Sequence, residues 1–276
     1  MNIVTLNNGV KMPQLGFGVW RADDSQATVA VSKALEVGYR SIDTAMIYRN
    51  EHGVGKAIQE SSIPREDLFI TTKVWNNDQG MENTLCAYEQ SLERLGLDYV
   101  DLYLIHWPTP KYDRYVDTYK ALEKLYQEGR VRAIGICNFD IVHLERILTE
   151  CDIKPVLNQI ECHPYFSQKE MKDFCAKHNI FVEAWSPLEQ GGTVLQDSII
   201  LKIAEAHGKS SAQTILRWHL QNNTIVIPKS VTPSRIEENL NVFDFVLTQN
   251  EMEEIDQLNR NLRRGKIPSE NNQLQL

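Results

Sequence analysis

The sequence predicts an α/β chain folded as a (β/α)8 TIM barrel with an N-terminal β-hairpin, in one domain over residues 1–276. Three observations carry that expectation. Apolar strand-like runs alternate with longer helical patterns along the chain, and they number about the eight that a barrel needs. The runs are apolar on both faces, as strands of a parallel sheet covered by helices are. A length of 276 residues suits one barrel. A doubly wound open sheet fits the alternation almost as well, but no G-x-G-x-x-G follows the first strand, which weakens a dinucleotide fold of that kind.

The elements follow in order. Asn8-Gly9 reads as a two-residue turn, with Ile3-Val4-Thr5 and Val10-Lys11-Met12 as the arms of a hairpin. A short strand around Gly16–Gly18 comes next, then strands over Ser41–Asp43, Leu68–Thr72 and Tyr99–Ile105. Ile134–Ile136, Leu157–Ile160, Phe181–Ala184 and Thr224–Ile227 complete the set. Between them lie helical stretches such as Ser25–Val37, Met81–Leu95, Val116–Gln127 and Ile141–Glu150. In the first, Val29, Val31, Ala34, Leu35 and Val37 give a broad apolar face, and Gly38 is placed to end the helix. Gly96 ends another, just ahead of the strand from Tyr99. No repeat, linker or low-complexity tract interrupts the pattern, and residues 269–276 are expected to form a disordered tail.

Bulk properties exclude several classes. No apolar run approaches the ~20 residues of a membrane-spanning helix, and Met1–Thr5 lacks the basic and apolar regions of a secretory leader. The cysteines at 86, 137, 151, 162 and 175 form an odd set without a C-x-x-C pair, which favours reduced thiols in a cytoplasm over disulfides or a zinc site. A net charge of −8 opposes nucleic acid and anionic lipid as partners, yet allows a local basic pocket.

Polar residues fall where strands end, the face that carries the active site in a barrel. Asp43, Lys73 and His106 each close a strand, and Tyr48 lies in the loop after the second. Taken singly, each has an ordinary explanation: a helix cap, a solvated lysine, a hydrogen-bonded histidine, a packed tyrosine. Their local sequences reverse those odds. Gly38-Tyr39-Arg40-Ser41-Ile42-Asp43-Thr44-Ala45, with Tyr48 and Asn50-Glu51 following, resembles the first signature of the aldo-keto reductase superfamily. Leu102-Tyr103-Leu104-Ile105-His106-Trp107-Pro108 is similar to its histidine segment. Gly135-Ile136-Cys137-Asn138-Phe139 and Asn158-Gln159-Ile160-Glu161-Cys162-His163-Pro164-Tyr165 resemble its cofactor-side segments. Ile227-Pro228-Lys229-Ser230-Val231-Thr232, with Arg235 and Glu238-Asn239, resembles its phosphate-binding signature. The resemblance spans nearly the whole chain, which by length and wording is similar to the bacterial branch that includes diketogluconate and methylglyoxal reductases.

The resemblance implies an NADPH-dependent carbonyl reductase with Asp43, Tyr48, Lys73 and His106 as its catalytic set. The chemistry agrees with those residue types. Hydride reaching a carbonyl carbon leaves charge on oxygen, so a proton donor is needed there. A phenol with pKa ~10 is a poor one at neutral pH. An ammonium beside it, here Lys73 held by Asp43, lowers that pKa, and a neutral His106 polarises the carbonyl. The same resemblance places NADPH (NADP+) on Lys229, Ser230, Thr232 and Arg235 as the clamp for the 2′-phosphate, with Val231 also in the cofactor set and Glu238 and Asn239 at the adenine. Asn138 and Gln159 are amides suited to the nicotinamide carboxamide, and Trp185 holds the place of a ring stacked on nicotinamide. Val19, Trp20, Asp43, Ser186 and Leu188 complete the cofactor set. Trp20, Trp75 and Trp107, each after a strand end, are expected to wall a substrate pocket with Tyr48 and His106. The family pattern usually has serine where Cys137 stands, and a thiol is a weaker hydrogen-bonding group. No metal, nucleic acid or membrane is expected, and a monomer is the family's default. A cofactor-sensing module would not need all four catalytic residues, and a phosphate-binding isomerase or aldolase would leave the histidine and Gln159 segments unexplained.

Overall fold

Gly9 shapes the first element. In the computed structural model, which describes residues 2–274, β1 (Ile3–Thr5) pairs antiparallel with β2 (Lys11–Pro13), Thr5 opposite Lys11. Gly9 N–H donates to Leu6 O at 2.9 Å, Leu6 N–H to Val10 O at 2.9 Å, and Gly9 has φ 84°. The expected two-residue Asn8-Gly9 turn is therefore corrected to a three-residue loop, Asn7-Asn8-Gly9. Glycine takes the left-handed conformation that closes a bulge after a tight turn, and this moves pairing from Val10–Met12 to Lys11–Pro13. Val4, Leu6 and Met12 then plug the barrel floor against Phe69, Leu104 and Ile225. Asn7 Nδ2 ties the turn to Pro155 O at 2.9 Å and Asn8 Nδ2 to Arg132 O at 3.0 Å.

The barrel strands are β3 (Phe17–Gly18), β4 (Ser41–Asp43), β5 (Phe69–Val74) and β6 (Val100–Ile105), then β7 (Val131–Cys137), β8 (Leu157–Glu161), β9 (Phe181–Trp185) and β10 (Ile225–Val226). They lie side by side in sequence order, all parallel. Closure comes from Leu15, which pairs with Val226, and from Gly16 N–H donating to Val226 O at 2.8 Å. All eight coincide with or overlap the runs expected from the sequence.

The helices are α1 (Asp24–Val37), α2 (Glu51–Glu60), α3 (Met81–Leu95), α4 (Tyr115–Gln127) and α5 (Ile141–Glu150), followed by α6 (Lys169–Lys177), α7 (Ser198–His207), α8 (Ser211–Gln221), α9 (Pro233–Leu240) and α10 (Gln249–Asp256). Asp23 and Gln26 form a capping box at the start of α1, and Gly38 ends it at φ 117°. Helix α2 wedges against its neighbours through Gly53 and Gly55, where a methyl group would sit 2.1 Å from Asp24 O and 2.0 Å from Leu95 O. Ile42, Ile70, Tyr103 and Ile134 pack outward against Val31, Tyr88, Leu122 and Leu144. Each such buried side chain contributes about 1.5–3 kcal/mol, so the layer between barrel and helices holds the fold. Among the described residues no helix is long and apolar enough to cross a membrane.

The segment from Ser269, expected to be disordered, instead returns to the open end of the barrel. Leu274 O accepts from Trp75 Nε1 at 2.9 Å, Gln273 O from Asn76 Nδ2 at 2.7 Å, and Asn272 Oδ1 from Lys111 N–H at 2.8 Å. Backbone carbonyls make two of these contacts, so no side-chain periodicity announces them. Gln275 and Leu276 lie outside the described residues.

Candidate active site

The C-terminal ends of β4 and β5 set two charges together. Register places Asp43 beside Thr71, two residues before Lys73, and both side chains turn into the barrel. Lys73 Nζ donates to Asp43 Oδ1 at 2.6 Å and to Thr44 O at 2.8 Å, with both side chains buried. Burial works against the ammonium, but Asp43 and then Tyr48 outweigh it, and Lys73 is held above its ordinary value, fully charged.

Tyr48 comes from the 3-10 turn Met46–Tyr48 that follows β4, closed by Arg49 in the left-handed region at φ 55°. Its ring centroid lies 5.2 Å from Lys73 Nζ. Burial pushes the phenol up, and the Lys73 ammonium opposes this without reversing it. Lys73 acts on the phenol in the expected direction, but desolvation outweighs it, and Tyr48 keeps its proton at neutral pH. His106, just past β6, stands edge-on to Tyr48 at 5.6 Å and to Trp75 at 5.2 Å between ring centroids. Burial, with Lys73 adding to it, holds His106 well below the usual imidazole range, so the ring is neutral.

Asn138 and Gln159 meet the pair from the other side. Asn138 has φ 61°, a conformation non-glycine residues adopt at a cost and often at functional sites. Its Nδ2 donates to His106 O at 3.0 Å, and its Oδ1 accepts from Trp185 Nε1 at 2.8 Å. Gln159 Nε2 donates to Asp43 Oδ2 at 2.8 Å and to Glu183 Oε2 at 2.8 Å. Cys137 is buried beside them, its Sγ 3.5 Å from Gln159 Oε1 and 3.1 Å from Asn138 Nδ2. Burial pushes its thiol well above the ordinary value.

A basic edge lies at the β10–α9 connection. Lys229, Val231, Thr232 and Arg235 are exposed, Ser230 and Glu238 half-buried, and Asn239 buried. Ser230 Oγ accepts from Thr232 N–H at 3.1 Å, and no side chain caps α9. Burial, then the charge of Arg21, holds Lys229 below its ordinary value. Arg21, which sequence reading passed over, stacks on Trp20 with 4.1 Å from Cζ to the ring centroid. Among the described residues neither Arg21, Lys229 nor Arg235 forms an ion pair.

The remaining expected residues divide. Trp75 joins the ring cluster, Trp20 is largely exposed beside Arg21, and Trp107 is buried with its carbonyl accepting from Gln79 Nε2 at 2.6 Å. Val19 packs its side chain in the outer core and offers only backbone groups. Ser186, at φ 49°, and Leu188 are half-buried in the loop after β9. The sequence reading also missed a clamp from the C-terminal segment. Glu161 accepts from Arg264 N–H at 2.6 Å and Gly265 N–H at 2.7 Å, which lays Gly265 so close on Trp185 that a methyl group there would meet the ring at 2.4 Å. Glu161 stands in the expected Gln159 segment and also meets His163 at 3.1 Å, but these two backbone partners lie over a hundred residues away. Spacing alone could not have paired them.

The strand ends of the barrel thus bring a buried Lys73–Asp43 pair, the neutral His106 and the protonated Tyr48 to one place. Comparison with known proteins gives the family: residues 13–260 match the Aldo/keto reductase family, and the chain belongs to it. It is an NADPH-dependent oxidoreductase of that family. The chain is 54% identical over 270 residues to a 9,11-endoperoxide prostaglandin H2 reductase of Trypanosoma cruzi, covering 97% of this chain and 95% of the relative. It is 54% identical over 268 residues to a glyoxal reductase of Bacillus subtilis, covering 97% and 96%. Among solved structures, a mutant of Gox0644 in complex with NADPH is similar at a TM-score of 0.94 and 47% identity, with 98% of each chain covered.

Proposed function

We propose that this chain reduces small 2-oxoaldehydes of the glyoxal and methylglyoxal type to hydroxy-aldehydes or hydroxy-ketones, with Tyr48 as proton donor. The observation that carries the reading is the convergence of Tyr48 and His106 on the buried Lys73–Asp43 pair. The similarity to glyoxal reductase supports the substrate class.

The residues present fit the cofactor. Arg21 and Lys229 crowd each other without a carboxylate partner among the described residues, which calls for an anion, and Arg235 lies in the first turn of α9, which no side chain caps. Ser230, Val231 and Thr232 would line the same phosphate site, with Glu238 and Asn239 at the adenine. Trp185 would stack on the nicotinamide, flanked by Ser186 and Leu188, while Val19 and Trp20 border the opposite strand end. Bound NADPH supplies hydride to the carbonyl carbon.

The chain's own groups do the rest. His106, neutral, donates its N–H to the carbonyl oxygen and orients it. Tyr48 Oη delivers a proton to the same oxygen as negative charge grows there. Lys73 then stabilises the phenolate left behind, and this is where its ammonium matters: it favours Tyr48 in its ionised form, against burial. Asp43 fixes Lys73 in place. Trp20, Trp75 and Trp107 would exclude water from the acceptor side. A monomer in the cytoplasm fits this role, with a small carbonyl compound as the only partner required. Mixing purified protein with NADPH and methylglyoxal tests the reading: nicotinamide absorbance should fall, and no consumption of NADPH with any small aldehyde or ketone would reject it.

A further inference from the structure

We propose that Glu183 is a positioning residue for this reaction: with Asp43 it grips both N–H groups of Gln159 and so aims the Gln159 carbonyl at the nicotinamide carboxamide. The proposal rests on the NADPH reading given above.

Glu183 and Gln159 are Cα partners on adjacent parallel strands, so their side chains leave the sheet on the same face, into the barrel. Gln159 Nε2 has two hydrogens. One goes to Asp43 Oδ2 and the other to Glu183 Oε2, each at 2.8 Å. Both donors are therefore spent inside the barrel, and Oε1, which meets only the weak Cys137 thiol donor at 3.5 Å, keeps a lone pair for a further donor. The reverse orientation would set an amide oxygen against the Asp43 carboxylate, so Asp43 decides which way the amide faces and Glu183 takes its second hydrogen.

A purely structural role accounts poorly for an acid here. Glu183 is 1% exposed, its Oε1 has no hydrogen-bond partner among the described residues, and the ammonium that acts on it, Lys73, already serves Asp43. An uncompensated buried carboxyl destabilises a fold, and an apolar side chain would fill the space better. What glutamate supplies is an acceptor at the one place where Gln159 needs a second.

Its charge state follows from its surroundings. The groups facing it are Asp43 from β4, Lys73 from β5, Cys137 from β7 and Gln159 from β8; β10 contributes only Ile225 beside it. Cys137 stays a neutral thiol and Lys73 stays charged. Burial first, then the charge of Asp43, pushes Glu183 up to about 8. Below that pH it is neutral and only holds Gln159. Above it, a second negative charge arrives next to the Asp43–Lys73 pair and competes with Tyr48 for the field of the ammonium, so proton delivery should slow.

The test compares wild type, Glu183→Ala and Glu183→Gln in single-turnover NADPH oxidation with methylglyoxal, from about pH 6 to about pH 10, beside NADPH Kd by fluorescence and thermal unfolding. Glutamine keeps an acceptor for Gln159 but cannot ionise. Wild type should lose rate with a midpoint near that of Glu183. Glu183→Ala should turn over about tenfold slower at every pH, of the order of losing a positioning contact in a catalytic site. Glu183→Gln should recover most of that loss and show no step near pH 8, the midpoint set by Glu183. A merely structural role would lower the unfolding temperature and leave the pH profile in place. The proposal is overturned if Glu183→Gln keeps the wild-type step, or if Glu183→Ala turns over within twofold of wild type. Wild type without turnover would instead reject the reductase reading, and the proposal with it.

Discussion

Lys73 Nζ meets Asp43 Oδ1 at 2.6 Å with both side chains cut off from water, at the level where β4 and β5 end. A pair in that position does two things at once. It keeps an ammonium charged within reach of a phenol, and it makes each partner dependent on the other for stability. Removing one partner leaves a bare buried charge, which typically costs about 3–5 kcal/mol. Lys73→Met should accordingly lower unfolding free energy by that order, and adding Asp43→Asn should restore part of it. Urea titrations of both variants check this; a double variant less stable than the single one would contradict the coupling.

Tyr48→Phe removes one oxygen and little packing. Turnover should fall by about 10²–10⁴-fold, the usual worth of general acid catalysis, while NADPH Kd stays near wild type. Stopped-flow rates beside fluorescence titration separate the two quantities, and turnover within a few fold of wild type would remove Tyr48 from its assigned role.

Arg235→Ala should weaken NADPH binding by roughly 1–3 kcal/mol and NADH binding far less, because a charge-assisted contact to a 2′-phosphate exists only with NADPH. Arg21, which crowds Lys229, serves as the comparison. Arg21→Ala should relieve the depression of Lys229, and equal losses for both cofactors would point to the pyrophosphate they share. Paired titrations with NADPH and NADH on each variant read this directly.

Cys137 sits 3.5 Å from Gln159 Oε1 with a buried thiol. A hydroxyl is a better donor than a thiol, so Cys137→Ser should tighten NADPH binding by about 0.5–1.5 kcal/mol. An unchanged or weaker Kd would count against it. The burial also governs labelling: exposed Cys86 should react with alkylating reagents well before Cys137, as peptide mapping would reveal.

His106 and His219 are buried and held well below the usual imidazole range. Their folded forms resist a proton that the unfolded chain takes up at about 6.5. Stability should therefore be full above that pH and fall below it, by up to about 1.4 kcal/mol per pH unit for each such histidine. His219→Gln, away from the Lys73–Asp43 pair with its ring nitrogen 3.3 Å from Pro187 O, should flatten that fall. Denaturant unfolding of both proteins at about pH 7 and about pH 5.5 measures the difference.

Much of this was legible in the residues alone. The alternation of apolar runs with helical patterns indicated a parallel sheet covered by helices, because strands covered on both faces must be apolar on both faces, and the missing G-x-G-x-x-G favoured the barrel over an open sheet. The strand-ending Asp43, Lys73 and His106, with Tyr48 one loop away, were visible because parallel strands bring their C-terminal ends to one rim. Tertiary structure alone decided the rest. The hairpin register depended on a positive φ at Gly9, a backbone choice that Asn8-Gly9 permits in more than one form. The tail beyond Ser269 is held by carbonyls of Gln273 and Leu274, which carry no side-chain signal. Glu161 found Arg264 and Gly265, and Glu183 found Gln159, through closure of the barrel and packing across its mouth. The net upward shift of Tyr48 likewise came from burial: a sequence can name the ammonium beside a phenol, but only the packed fold sets how much water is removed from both.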